Sequence, residues 1–168
     1  MKIKGTKSGL ISETVHLDRG NDPKLSLKVT AMPMGFMEKI REKIPGPIPK
    51  ATDVLRKGGS IVRDETGKPV FLTNESTLEF RRDEDLANRR QSTMMIAKGL
   101  EHDPQVSFDA QREGCKNDAE YADKLWAEFK DFGFGSGNYT ELLLHVLRVS
   151  GVTRKKINDA REDFTLEG

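Results

Sequence analysis

Apolar and polar positions alternate at the start of the chain and then pass to helical spacing. Thr14-Val15-His16-Leu17 and Leu25-Ser26-Leu27-Lys28-Val29 have the period of two that suits a half-buried strand. Between them Asp18-Arg-Gly-Asn-Asp-Pro23 is dense in turn formers, so the pair predicts an antiparallel hairpin. Two strands alone are marginal in water, and this hairpin needs a surface to lean on. After Pro33, Met34, Met37, Ile40 and Ile44 recur at three- and four-residue spacing, one stripe of a short helix with Pro33 in its first turn. From about Thr77 to Leu100 the spacing is again helical, with Leu86, Met94, Met95, Ile96 and Leu100 making the C-terminal half apolar. Asp103-Pro104 stops it, because the residue before proline avoids the helical region. Val106-Ser-Phe108 reads as a short extended bridge.

Three more helices are expected. Asn117-x-x-Glu120 resembles a capping box, and Tyr121, Leu125, Trp126, Phe129 and Phe132 follow on one face up to Gly133. Asn138-Tyr-Thr-Glu141 opens the next, which carries Leu142, Leu143, Val146, Leu147 and Val149 and ends at Gly151. Thr153 caps a last helix that runs to about Phe164. Residues 45–76 break this rhythm. Pro45-Gly-Pro-Ile-Pro49 favours an extended strap, and Ser60–Arg63 and Lys68–Leu72 flank Asp64-Glu-Thr-Gly67. A second small hairpin and a mobile Pro/Gly-rich insert are equal readings there. The expected fold is therefore α+β, mainly α: one domain over residues 1–168, an N-terminal β-hairpin, and a bundle of about five helices.

Composition narrows the function. Apolar residues are 35% and charged residues 33% of the 168, which is polar for a compact fold. With 28 basic against 27 acidic side chains the net charge is +1, a poor match to a protein that neutralises many phosphates. Arg56, Lys57, Arg63, Arg81, Arg82, Arg89 and Arg90 come nearest to a cationic patch, but acids are interleaved among them. Charge alone thus argues against nucleic acid as a partner. Cys115 is the single cysteine, so no intramolecular disulfide can form. No apolar run approaches the roughly 20 residues that span a bilayer, and the basic N-terminus lacks the apolar stretch of a signal peptide. A soluble, cytoplasmic protein without a membrane partner is expected.

Candidate chemistry is thin. Gly133-Phe-Gly135-Ser-Gly137 precedes a helix, as phosphate-cradling loops do, but a helix enters it where a nucleotide fold needs a buried strand. A helix–helix corner is the simpler reading. His16, His102 and His145 lie far apart, without ligand spacing to one another or to Cys115, so no metal site is expected. Cys115 sits in a polar loop without a nucleophile-turn signature, and Asp83-Glu84-Asp85 reads as a solvated helix face. No catalytic or cofactor-binding residue is assigned, and the chain is expected not to be an enzyme. What stands out is methionine. Met32, Met34, Met37, Met94 and Met95 are five of the six in the chain. Flexible thioethers fill irregular cores, and they also suit a groove that accepts varied apolar peptides.

The order of these elements resembles the tail assembly chaperones of long-tailed phages and prophages. The resemblance rests on Leu27-Lys-Val-Thr-Ala-Met32 leading into a short helix and on Asn88–Leu100. It rests further on the pair Leu125–Phe134 and Tyr139–Val152, and most on Leu142-x-x-x-Val-Leu-Arg-Val-Ser-Gly-Val152 followed by a short charged segment. It covers about residues 13–165 in order, through short motifs. The resemblance implies a chaperone in virion morphogenesis that binds the tape measure protein, keeps it soluble in the host cytoplasm and helps recruit tail tube protein. Self-association stays open beside these partners, and no cofactor is implied. The family's longer product often arises by ribosomal frameshifting, and this chain would correspond to the shorter one. The residues expected to hold the partner are Met34, Met37, Met94, Met95, Leu142, Leu143 and Val146. The rival readings are a small virion connector or head-completion protein and a nucleic-acid-binding regulator.

Overall fold

Alternation in the first strands decides which way the hairpin faces. In the computed structural model, which describes residues 11–19, 22–55 and 58–152, β1 (Ser12–Arg19) pairs antiparallel with β2 (Asp22–Thr30). Val15 stands opposite Leu27, and Leu17 opposite Leu25. Val15, Leu17, Leu27 and Val29 are all buried on one face, while Thr14, His16 and Lys28 point to solvent. Both strands run further than the alternation alone predicts. Their register slips between Leu17 and Arg19, where the turn formers begin.

That apolar face is covered by helices α2 (Leu78–Leu100) and α4 (Ser136–Val149). Ile96 and Leu100 of the first, and Leu142 and Val146 of the second, complete one core with the hairpin, Met32, Met95 and Phe129. Burying an aliphatic side chain of this size stabilises by about 2 kcal/mol, so the four hairpin residues make the two-stranded ribbon viable. The two helices approach closely where Gly99 meets Val146: a Cβ on Gly99 would lie 2.5 Å from Val146 Cγ2. The Gly99 carbonyl, left accessible beside the strand, accepts from Thr30 Oγ1 at 3.0 Å. Asp103, buried just beyond α2, accepts from the Lys28 N–H at 2.6 Å and from the Gln105 N–H at 2.9 Å. One carboxylate thus satisfies a β2 edge donor and a donor of the turn that follows the helix.

A second core lies on the far side of α2. Helices α1 (Phe36–Lys43) and α3 (Asp118–Asp131) meet it there, through Ile40, Ile44, Met94, Ala122 and Leu125. Thr77 caps α2, its Oγ1 accepting from the Phe80 N–H. Asn117 caps α3 and accepts from the Glu120 N–H, but Glu120 reaches past it to the Lys116 N–H at 2.9 Å. Gly133, at φ 88°, ends α3 with the Phe134 N–H bonded back to the Phe129 carbonyl. Those two rings lie 5.7 Å apart, the apolar clasp of a Schellman stop. Helix α4 starts at Ser136, two residues before the expected Asn138, which sits inside the first turn. Its Oδ1 accepts from the Gly135 N–H and its Nδ2 donates to the Asp18 carbonyl at 2.9 Å, tying the corner to the hairpin. The Gly133–Gly137 loop is therefore a helix–helix corner. Residues 106–108 form no strand; Phe108 packs edge-on to Phe129 at 5.5 Å. The helix expected from Thr153 to Phe164 lies outside the described residues.

The insert forms a small arm. Strand β3 (Ala51–Asp53) pairs antiparallel with β4 (Phe71–Thr73), and the bridges Leu55–Ile61 and Arg63–Pro69 continue inward. Three valines spaced eight residues apart close a ring of backbone bonds. The Val54 N–H donates to the Val70 carbonyl (3.0 Å), Val62 to Val54 (2.7 Å) and Val70 to Val62 (2.9 Å). At the tip, Asp64 Oδ1 accepts from the Thr66 and Lys68 N–H groups, as Asx turns do. At the base, Lys50 and Asn74 bond to each other twice. Leu55, Phe71 and Leu72 remain exposed.

The architecture is α+β and mainly α, with four helices among the described residues. Two substitutions test what holds it. Gly99→Ala gains about 1 kcal/mol of helix propensity but forces α2 off Val146, which costs about 1–3 kcal/mol. The net loss expected in urea denaturation should shrink when Gly99→Ala is measured against a Val146→Ala background, which removes the clash at its own cost in buried surface. Asp103→Ala, which strands the Lys28 N–H, should lower stability by about 2 kcal/mol in the same assay.

Candidate functional site

Consecutive residues on a helix point about 100° apart, so neighbours in sequence serve different surfaces. This divides the seven residues expected to hold a partner. Met94 is 7% exposed and faces α1 and α3. Leu142 and Val146, four apart, are 0% exposed and face the hairpin. All three are core residues and have no surface to offer. Leu143 and Leu147, one position on, pack partly against that core and line a groove of about 830 Å³ with Met34, Met37 and Met95. Met95 is only 6% exposed and forms the floor, whereas Met34 is 105% exposed and stands at the rim.

Met34 owes its position to Gly35. That glycine, at φ 77°, is the N-cap of α1, so the helix begins at Phe36 and neither Pro33 nor Met34 belongs to it. The expected stripe from Met34 to Ile44 is therefore split. Ile40 and Ile44 are buried against α2 and α3, Met37 is half-buried, and Met34 extends into solvent.

The wall carrying both methionines is held at its two ends. At one, the Met32 N–H donates to Ser150 Oγ at 3.0 Å, and that hydroxyl donates to the Val146 carbonyl at 2.6 Å. At the other, Gln91 Nε2 donates to the Ile44 carbonyl at 2.8 Å. Glu38 and Arg41 of α1 place one charge of each sign along the groove, and Asn88, Gln91 and Ser92 of α2 give it a polar side. Methionine, leucine and a few polar groups over an open concave surface suit the side chains of an amphipathic segment. A second hollow of about 610 Å³ lies between Leu25, Phe108, Phe132 and Phe134. Three acidic residues, Asp109, Glu128 and Asp131, line it, and Glu128 is engaged by the Asp109 and Ala110 N–H groups at 2.9 and 2.6 Å.

Behind the groove a polar and aromatic cluster fixes the spacing of α2, α3 and α4. The Tyr139 hydroxyl donates to the Arg89 carbonyl at 3.1 Å and lies 3.0 Å from Thr93 Oγ1. The Tyr139 ring meets Trp126 edge-on at 4.8 Å, and the Arg89 guanidinium lies over Trp126 at 5.4 Å. Asp123 accepts from Arg90 Nε at 3.0 Å and from Arg89 at 3.2 Å. The Arg90 hydrogen bonds hold the Asp123 carboxyl below its ordinary range. These contacts engage Arg89 and Arg90, two of the residues that made the sequence look cationic. Arg63 bonds to the Gly67 carbonyl in the arm, and Arg56 and Lys57 lie outside the described residues. Sequence reasoning missed this cluster because its α2 residues lie more than 30 positions from their partners on α3 and α4.

Among the described residues no group of three or more His, Cys, Asp or Glu could hold a metal ion. His16 bonds to Ser26, His145 lies near Glu13 and Arg148, and His102 lies beside Glu101. Cys115 Sγ donates to the Gln111 carbonyl at 3.3 Å. No described helix is long and apolar enough to cross a membrane.

Tyr139 gives the cluster a pH signature. Burial pushes its phenol up to about 12, above the ordinary value of about 10. A raised folded-state value means stability fully present below about pH 10 and lost as pH rises through about 12. Denaturation midpoints should fall over that window, and Tyr139→Phe should flatten the fall at a cost of about 1 kcal/mol at neutral pH. Tyr121, whose phenol burial also raises, contributes to the slope that remains. No protein-family model, curated protein or solved structure matches the chain.

Proposed function

We propose that this protein is a phage or prophage tail assembly chaperone. In this reading it binds the tape measure protein, keeps it soluble and helps recruit tail tube subunits. The observation that carries the reading is the groove lined by Met37, Leu143 and Leu147, with Met34 at its rim and Met95 buried in its floor. The order of elements that resembles the tail assembly chaperones supports it independently.

The physical fit is direct. A tape measure chain is long and helical, and its apolar stripes would aggregate before the tube encloses them. A chaperone for it needs an adaptable apolar surface on an otherwise charged body. Thioethers adapt to side chains of different shape at little cost, so one groove can take successive turns of a varied helix. Affinity per site should be modest, because tube subunits must displace the chaperone. Retention then comes from many copies bound along one guest, where each further contact is effectively intramolecular. The protein acts by holding a guest and not by catalysis, and it works where the guest is made, in the host cytoplasm.

The contact set is revised accordingly. Met34, Met37, Leu143 and Leu147 form the holding surface, while Met95 beneath them and Met94, Leu142 and Val146 support it from the core. Coexpression with the tape measure protein of the same genome tests this. Met37→Glu combined with Leu143→Glu should leave the helical circular dichroism spectrum intact and reduce the copurified guest at least about tenfold, a change of about 1.4 kcal/mol. Unchanged copurification with a folded double variant would remove the groove from the function.

A further inference from the structure

We propose that the arm pairs two copies of this chain, face to face about a two-fold axis. Its register gathers six residues on one surface. Asp53 stands opposite Phe71 in the β3–β4 ladder, Leu55 opposite Ile61, and Arg63 opposite Pro69. Residues paired across strands share a face, and so do residues two apart along one strand. Pairs and alternations taken in turn lead from Asp53 through Phe71, Pro69, Arg63, Ile61 and Leu55 back to Asp53. The six therefore ring one face. The acid and the base sit at opposite points, with apolar residues between them on both sides.

That face is uncovered. Both strands are exposed along their whole length, and Leu55, Ile61 and Phe71 are 59%, 39% and 55% exposed. On the reverse face Val54, Val62 and Val70 are half-buried, and among its apolar residues Leu72 alone is exposed. A fully exposed residue of this size presents about 200 Å², so the first three leave about 300 Å² of apolar surface in water, a patch size that marks interaction sites. A ribbon this short is marginal by itself and gains from being covered.

Charge selects the partner. Among the described residues neither Asp53 nor Arg63 forms an ion pair, and Arg63 donates to the Gly67 carbonyl. One charge of each sign at opposite points of an apolar ring is self-complementary. A two-fold axis lying in the face, midway between the charges, sets Asp53 of each copy against Arg63 of the other. The same rotation sets Phe71 against Pro69 and Leu55 against Ile61, so apolar meets apolar. Two such faces bury about 1,000 Å² in all, the low end of specific interfaces, so the pair forms and separates with concentration. Exposed ion pairs add little strength, and the two here fix register while the apolar contact supplies affinity.

The consequence is a pair that carries two methionine-lined grooves, and a guest held by one meets the second as an intramolecular contact. Pairing requires the arm alone. Loss of guest copurification in the groove variants therefore leaves it untouched.

Sedimentation velocity of the full chain over a dilution series tests it. The chain should pass from monomer to dimer with a midpoint of about 1–100 µM. A chain still monomeric at about 0.5 mM overturns the proposal. Phe71→Asp should weaken the dimer at least about tenfold, and Leu72→Asp on the reverse face should not. Equal effects of the two, or a dimer untouched by Phe71→Asp, overturn it by placing the contact elsewhere. Asp53→Arg and Arg63→Asp should each weaken self-association at least about threefold, because each sets like charges together twice. Mixed, the two variants should pair with each other at about wild-type strength, since both cross-contacts then join opposite charges. The Thr66 and Lys68 amide signals, whose N–H groups Asp64 holds, report that the arm tip is intact in each variant. A mixture that recovers nothing while those signals persist contradicts the two-fold arrangement.

Discussion

The burial of the hairpin's apolar face on the crossing of α2 and α4 is the contact on which the other features rest. Two strands cannot hold themselves together in water, and these two do not have to. Val15, Leu17, Leu27 and Val29 sit against Ile96, Leu100, Leu142 and Val146, and Gly99 lets the two helices come close enough to form a single platform. Polar groups then fix what the apolar contact brings near. Thr30 reaches the Gly99 carbonyl, Asp103 takes the Lys28 N–H, and Asn138 holds the Asp18 carbonyl. Each is short-range in space and long-range in sequence, which is how a small core becomes a specific one.

The groove arises from that packing by exclusion. Once Leu142 and Val146 are committed to the hairpin, Leu143 and Leu147 are turned about 100° from it, to the edge of the core. The α1 wall, held by Ser150 and Gln91, stands opposite them without closing over them. Alternate commitment of neighbouring residues also explains the two methionines of α2. Met94 seals the core behind, and Met95 paves the floor in front. An apolar helix with two working faces needs more hydrophobic residues than a single stripe supplies. Leu142-Leu143 and Met94-Met95-Ile96 are the sequence record of that demand.

Much of the fold was legible because it is written locally. Period-two alternation marked both strands, the start of α2 near Thr77 and the Asn117 cap were readable, and the glycines 133 and 151 ended their helices where expected. The misreadings share one cause, that spacing alone does not say which face a residue serves. The run from Met34 to Ile44 looked like one stripe, yet Gly35 starts the helix late and frees Met34. Met94, Leu142 and Val146 had the composition of a binding surface and the geometry of a core. The cluster of Tyr139, Trp126, Arg89 and Asp123 left no local signal at all, because each partner gains its meaning only from helices packed side by side.

The ring of three valines in the arm carries a consequence of its own. Val54, Val62 and Val70 satisfy one another's backbone groups, and the chain enters and leaves through the mutually bonded Lys50 and Asn74. Seen from the core, this excursion of the chain is equivalent to a tight loop, because its two ends are neighbours. Closing a loop costs only slowly more as it lengthens. The arm can therefore be treated as a detachable cassette. It can be exchanged for a different one or shortened to a simple turn, with the packing of α1 and α2 unaware of the substitution.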